Sequence, residues 1–241
     1  MLRVENISKS FRAGQQVLAN INLAVAEGEI VGLVGESGCG KSTLAKVIMQ
    51  LESADKGAVF FQNQQIAKKQ MNTFYDNCQI IFQNASNALN PKWTVKELLH
   101  EPLQHHAKVQ DTQFERMLEM VKLPNDILHA LPSELSGGEK QRINLLRSIL
   151  VEPKLLICDE IVSSLDRLIQ REIIDLLLTL NKERNMAILF ISHDLKAVSY
   201  LCQRIYVMKA GKIVDECYKE QNTFHFTDNY AQKLFQAMEM Q

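Results

Sequence analysis

The chain has 241 residues, 46% hydrophobic and 23% charged, enough for one buried core plus a modest subdomain and typical of a soluble globular protein. Its net charge of −1 lacks the basic excess of a nucleic-acid binder, and no run reaches the roughly 18 apolar residues of a membrane span. Five scattered cysteines, Cys39, Cys78, Cys158, Cys202 and Cys217, without CxxC spacing, point to reduced thiols rather than a zinc site or disulfide framework. The first residues, MLRVENISKSF, carry charges where a signal peptide would be apolar, so the protein is expected to stay in the cytoplasm.

Residues 2–8 and 18–24 alternate apolar and polar side chains and are predicted strands. Ile30–Val34 is a β-branched run that ends on a Gly-rich loop. A helical pattern follows from Lys41, with Leu44, Val47, Ile48 and Leu51 on one face. From 84 to 135 strand-like runs disappear. Amphipathic stretches at 95–103 and 114–121 replace them, punctuated by Pro91, Pro102, Pro124 and Pro132, and predict an inserted helical subdomain. Beyond it come a helix at about 138–150, a strand at 155–158, a helix at about 168–183, a strand at Ala187–Ile191 and a late hairpin at 205–208 and 212–214. Alternating β and α implies a mostly parallel sheet covered on both faces. The expected fold is therefore α/β, with an antiparallel N-terminal portion. A catalytic core at 1–83 and 136–241 is interrupted by the helical insert at 84–135.

Gly35-Glu36-Ser37-Gly38-Cys39-Gly40-Lys41-Ser42 fits GxxxxGK[ST] at every fixed position. Glycines let successive N–H groups curl around an anion, and the helix that follows points its positive end at the same place. Lys41 can reach the β- and γ-phosphates of ATP. Ser42 can donate to Mg²⁺, which keeps its waters and needs few protein ligands. Thr43 completes the expected phosphate-binding set. Cys39 is read first as a small residue that fits the loop; the alternative hypothesis is that its place at a helix N-terminus beside Lys41 lowers the thiol pKa, so that alkylation there would block ATP turnover and ATP would protect. A second apolar strand ends in Asp159-Glu160. In a nucleotide enzyme the first acid orients the metal shell and the second polarises the attacking water.

Leu135-Ser136-Gly137-Gly138-Glu139-Lys140-Gln141-Arg142 resembles the LSGGQ signature of ATP-binding cassette ATPases, with Glu139 where the family often has Gln. The resemblance covers about residues 2–215 and implies a RecA-like P-loop NTPase core. It also implies that Ser136, Gly137 and Gly138 face the γ-phosphate held by another subunit in a head-to-tail dimer. Gln83 resembles the glutamine that senses metal and attacking water. Ser163-Ser164-Leu165-Asp166 resembles the loop that crosses the dimer interface. His193 resembles the histidine that contacts the γ-phosphate, and Phe11 the aromatic that stacks on adenine. The family often has Pro-Thr where Ile161-Val162 stand here, which predicts a less rigid loop.

The segment from Phe82 to Val95 resembles the FQDPxxSLNPRxTV pattern of dipeptide, oligopeptide and nickel importers, and residues 227–234 resemble that group's HPYTxxL segment. The resemblance implies a peripheral ATPase on the cytoplasmic face of the membrane. It would be paired with a second ATPase subunit, paralogous or identical, beneath integral membrane permeases and, indirectly, an extracellular solute-binding protein. No nucleic acid is expected. A soluble regulatory or nucleic-acid-linked cassette and an exporter ATPase are the alternatives. His100, His105 and His106 are read as a solvated helix or loop and not as cargo ligands.

Overall fold

In the computed structural model, which describes residues 1–11, 14–67, 71–83, 88–103, 111–163 and 165–239, two sheets meet across one apolar layer. Strand β1 (Leu2–Phe11) pairs antiparallel with β2 (Gln15–Val25) and with β4 (Lys56–Phe61), and β4 pairs with β5 (Gln64–Gln65). Both long strands run further than the sequence pattern predicts. Asn6 and Asn20 adopt positive φ (52° and 54°), and the register of β1 slips between Val4 and Ile7. Such a bulge breaks the two-residue alternation and hides the strand's full length.

The second sheet has the order β11-β10-β9-β3-β8-β7-β6. Strands β3 (Ile30–Val34), β6 (Cys78–Ile81), β7 (Leu155–Asp159), β8 (Ala187–Ile191) and β9 (Arg204–Lys209) are mutually parallel. Strands β10 (Lys212–Glu220) and β11 (Thr223–Phe224) add antiparallel pairs at one edge. Every residue of β3, β7 and β8 is buried, as expected of parallel strands covered on both faces. Their side chains alternate between two cores. Val31, Leu33, Leu155, Ile157, Leu189 and Ile191 pack toward the antiparallel sheet and helix α1 (Lys41–Ile48). Ile30, Val34, Leu156, Cys158, Ile188 and Phe190 pack on the opposite side with the other helices.

Helix α1 stops a turn earlier than the sequence pattern suggests, and Leu51 is 52% exposed rather than on its buried face. Gln50 takes a left-handed φ of 57°, and Leu51 N–H donates to the Lys46 carbonyl at 2.9 Å. That long-reach bond ends a helix by closing its last carbonyls.

Helix α2 (Met71–Asn77) leads into β6. Between β6 and β7 the described residues form only helical elements. These are α3 (Val95–His100) with a 3₁₀ turn at Glu101–Leu103, α4 (Asp111–Met120), 3₁₀ turns at Asn125–His129 and Pro132–Glu134, and α5 (Gly137–Ile149). Thr94 starts α3 with a capping box, its hydroxyl accepting from Glu97 N–H at 3.3 Å while Glu97 accepts from Thr94 N–H at 2.7 Å. Val95, Leu98, Leu99, Phe114 and Leu118 share one apolar cluster with Ile143, Leu146 and Ile173. The helical insert therefore leans on the same core as α5 and α6 (Arg167–Arg184). His100 packs edge-on against Phe114, ring centroids 4.7 Å apart, while His105 and His106 lie outside the described residues. Helices α7 (Leu195–Leu201) and α8 (Asn229–Glu239) complete the chain.

Arg204 joins the two sheets. Its guanidinium donates to the Ala24 carbonyl (2.9 Å), Glu29 (2.6 Å), Glu216 (3.0 Å) and the hydroxyls of Tyr206 and Tyr218 (both 3.1 Å). Arg204→Ala would leave Glu29 without its charge partner, and breaking a pair this well buried costs about 3 kcal/mol. Urea unfolding should show a loss of that order. A change below about 0.5 kcal/mol, the level of an ordinary surface substitution, would mean that water already carries the pair.

Candidate active site

Four adjoining parallel strands, β3, β8, β7 and β6, each deliver one piece of chemistry at their carboxyl ends: the 35–42 loop, His193, Asp159-Glu160 and Gln83. Ligands of open α/β sheets bind in the crevice outside those ends. This convergence follows from parallel pairing, in which Leu33 sits beside Ile191 and Asp159 beside Ile191 on its other side.

The loop adopts a backbone reserved for glycine. Gly38 and Gly40 have φ of 79° and 112°, and a Cβ on Gly40 would come within 2.9 Å of the Val17 carbonyl oxygen and the Met208 methyl. The Leu44 N–H donates to the Gly40 carbonyl at 2.9 Å, so α1 begins at the loop's end with its N-terminal amides facing the same hollow. Lys41 is 4% exposed and folds its ammonium back over the loop, donating to the carbonyls of Gly35 (2.8 Å) and Glu36 (2.9 Å).

The expected activation of Cys39 is not found. Cys39 is 8% exposed, and burial raises its thiol pKa above the ordinary value, outweighing the opposing pull of Lys41. A raised pKa keeps the sulfur as thiol near neutrality, and the thiol is a poor nucleophile. Native protein treated with iodoacetamide at pH 7.5 should therefore keep Cys39 unmodified by mass spectrometry. Rapid labelling there would reverse this conclusion.

Ser42 Oγ donates to Asp159 Oδ1 at 3.2 Å, tying the loop's helix to the end of β7. Burial raises the Asp159 pKa, partly offset by that hydrogen bond. A hydroxyl and a buried carboxylate, both hard oxygen donors, fit a Mg²⁺ ion coordinated mainly by phosphate and water.

Glu160 is held in an unusual backbone state, with φ of 53°. A left-handed non-glycine residue costs on the order of 1 kcal/mol, and such strain clusters at functional sites. Here the Glu160 N–H donates to the Ile191 carbonyl (2.9 Å), and the Ser163 hydroxyl donates to the Glu160 carbonyl (2.9 Å). The resulting turn aims the side chain at the junction of β6 and β8. Gln83 Nε2 donates to Glu160 Oε2 at 2.9 Å, and His193 Nδ1 lies 3.5 Å from the same oxygen. A fixed carboxylate between an amide and an imidazole is able to orient and deprotonate a water. Ile161 and Val162, predicted to loosen this loop, instead bury fully in the core at 1% and 0% exposure.

The signature residues stand apart. Ser136 caps α5, its hydroxyl accepting from Glu139 N–H (3.3 Å) and its own N–H donating to Glu139 Oε2 (2.7 Å). These bonds to Ser136 also lower the Glu139 pKa. A Cβ on Gly137 would meet nothing within 4 Å, and one on Gly138 would meet only Ile169. Among the described residues no hydrogen bond links Ser136–Gly138 to the 35–42 loop. Asp166 caps α6, accepting from Leu168 and Ile169 N–H at 3.0 Å, and among the described residues no hydrogen bond links it to that loop. Leu168 beside it is 70% exposed. Phe11 is half exposed at the end of β1, with Lys9 Nζ 5.1 Å from its ring centroid. Ser164 and residues 84–87 lie outside the described residues.

Two contacts escape sequence reasoning. The Gly211 N–H donates to the Cys39 carbonyl at 3.0 Å, and the Glu36 N–H donates to the Tyr230 hydroxyl at 3.3 Å. The residue pattern around Gly211 predicts a hairpin turn, and residues 227–234 resemble a family segment, but neither reading gives the surface against which Gly211 or Tyr230 rests.

Residues 18–163 match the ABC transporter family. The chain belongs to that family. Its nickel-importer relatives include the nickel import ATP-binding protein NikE of Escherichia coli O6:K15:H31, 40% identical over 89% of this chain and 86% of that protein. NikE of Escherichia coli K12 is 42% identical over 83% and 78%. Among solved structures, the ATP-binding cassette MJ0796, in a dimeric post-hydrolysis state bound to ADP and Pi, superposes with a TM-score of 0.82 at 26% identity, covering 90% of this chain and 98% of that one. CbiO1 of Clostridium perfringens, part of the ABC transporter complex cbiONQ, gives 0.78 at 26% identity, with 89% and 87% covered. As an ABC transporter cassette, the chain binds ATP and hydrolyses it, and the hydrolysis is coupled to transport. None of its described helices is long and apolar enough to cross a membrane.

Proposed function

We propose that the chain is the ATP-hydrolysing subunit of an importer for nickel, another metal chelate or peptides, working at the cytoplasmic face of the membrane. The supporting observation is the division of its site. The 35–42 loop, Thr43, Asp159, Glu160, Gln83 and His193 are grouped at one set of strand ends. Among the described residues no hydrogen bond joins Ser136, Gly137 or Gly138 to them, and Gly137 opens onto empty space. A glycine that nothing in its own chain requires fits the approach of another subunit's nucleotide. One chain would thus supply halves of two composite sites.

In that pair Lys41 and the loop amides hold the phosphates of ATP, and Phe11 stacks on the adenine. Ser42, Asp159 and Gln83 would hold Mg²⁺, which would supply positive charge to offset that of the phosphates. Glu160 takes the proton of the attacking water, and His193 faces the γ-phosphate. The charge of that phosphate draws the two subunits together, and its loss lets them part. Asp166 and the exposed Leu168 lie on the face that meets the partner. The insert, residues 84–135, carries the motion to the permeases, with a core of 1–83 and 136–241 behind it.

The similarity to NikE over most of both chains supports the nickel branch. Proteoliposomes holding the chain, its permeases, a second ATPase and the solute-binding protein should hydrolyse ATP several-fold faster with nickel or a nickel chelate outside. Stimulation by short peptides would place the cargo in the peptide branch. No stimulation by either would remove the importer assignment.

A further inference from the structure

The Tyr230 hydroxyl accepts a hydrogen bond from the Glu36 N–H inside the phosphate loop, although 194 residues separate the two. Its segment is firmly placed. The buried Asp215 carboxylate accepts from Thr227 N–H (2.7 Å), Thr227 Oγ1 (3.2 Å), Asp228 N–H (2.8 Å) and Glu216 N–H (2.9 Å). Asp228 in turn accepts from the N–H of Tyr230 at 2.8 Å and of Ala231 at 3.3 Å, starting α8. Ala231 and Phe235 enter the main core, and Phe226 stacks on Phe235 at 4.2 Å. The Tyr230 ring is fixed from its other side by Lys209, whose ammonium lies 4.3 Å from the ring centroid.

We propose that Tyr230 is a positioning residue of the phosphate loop: its hydroxyl sets the Glu36 peptide, and through it the C-terminal segment tunes ATP affinity from outside the nucleotide site. Beside the bonds of Lys41 to the Gly35 and Glu36 carbonyls and of Ser42 to Asp159, two bonds reach the loop from the last part of the chain, Tyr230 to the Glu36 N–H and the Gly211 N–H to the Cys39 carbonyl. Between them lies Gly38, with φ of 79° and nothing within 4 Å of where its Cβ would stand. Gly38 is thus bracketed by two bonded peptides, which keeps the loop's amides curled. A ring alone would fill the space and meet Lys209 equally well; only the hydroxyl addresses the loop. The inference rests on the 35–42 loop holding phosphate.

Tyr230→Phe in the full chain removes that one oxygen. The dissociation constant for a fluorescent ATP analogue and the half-saturating ATP concentration for hydrolysis should both rise about 3- to 10-fold, the weight of one neutral hydrogen bond. Turnover at saturation should stay within about twofold, and the thermal midpoint within about 2 °C. A purely structural role would lower the midpoint and leave both ATP constants in place, and ATP constants within about 1.5-fold of wild type would overturn the proposal whatever the midpoint does. Lys41→Ala is the control. If it binds ATP like the wild type, the loop assignment fails and this inference with it. If it loses binding while Tyr230→Phe is silent, only the role of Tyr230 fails.

Discussion

Glu160→Gln lowers steady-state ATP hydrolysis by about 100-fold or more, the size of a lost general base, while ATP binding survives. The geometry makes this substitution informative. The left-handed turn at Glu160 is held by backbone and Ser163 contacts that a glutamine leaves untouched. Gln83 can still donate to the remaining amide oxygen. What disappears is a group able to take a proton, and about 100-fold corresponds to roughly 2.7 kcal/mol of barrier. Because the γ-phosphate then persists between the two subunits, the variant should elute as a dimer in ATP and as a monomer without it. Unchanged turnover would remove Glu160 from the base role. Lost turnover without a trapped dimer would mean that the signature half of the site is not where Ser136 and Gly137 put it.

The parts of this site that were legible in the sequence are those where local pattern and chemistry coincide. β3 reads as a β-branched run because it is buried on both faces, and the loop after it needs residue types that only an anion site combines. The same holds for β7 and its two acids. The four-residue β6 is harder to see, since Gln79 and the short α2 before it break any alternation. Its place beside β7, which brings Gln83 to Glu160, is a fact of sheet order and not of local pattern. Cys39 illustrates the opposite failure. Lys41 and a helix N-terminus are visible in the sequence, and they favour the thiolate. The burial that outweighs them comes from the apolar cluster that Cys39 joins, which is assembled from strands far away in the chain. The burial of Ile161 and Val162 is hidden for the same reason, since it depends on a core that the sequence does not locate.

Lys41→Ala should cost at least about 100-fold in ATP affinity. An ammonium that bonds two phosphate oxygens makes charge-assisted contacts worth about 1.5–3 kcal/mol each, and the hollow beside α1 keeps water from replacing them. In the structure the same ammonium donates to the carbonyls of Gly35 and Glu36, so it is already poised over the loop and pays little to turn toward a ligand. Removing it also frees those two carbonyls, and a modest fall in thermal stability is expected alongside the lost binding. Titration with a fluorescent ATP analogue separates the two effects, because it is read on folded protein. Near-normal affinity would contradict the phosphate-loop assignment outright. The contrast with Glu160→Gln is the sharper test: one variant should hold ATP without turning it over, and the other should not hold it. In a mixed pair with a wild-type copy, Lys41→Ala disables the site built on its own loop. It still lends Ser136 and Gly137 to the other, so about half of the closed-dimer contacts should survive. Pairing Lys41→Ala instead with a copy altered at Ser136 separates the two arrangements: one intact site survives only if loop and signature serve different nucleotides.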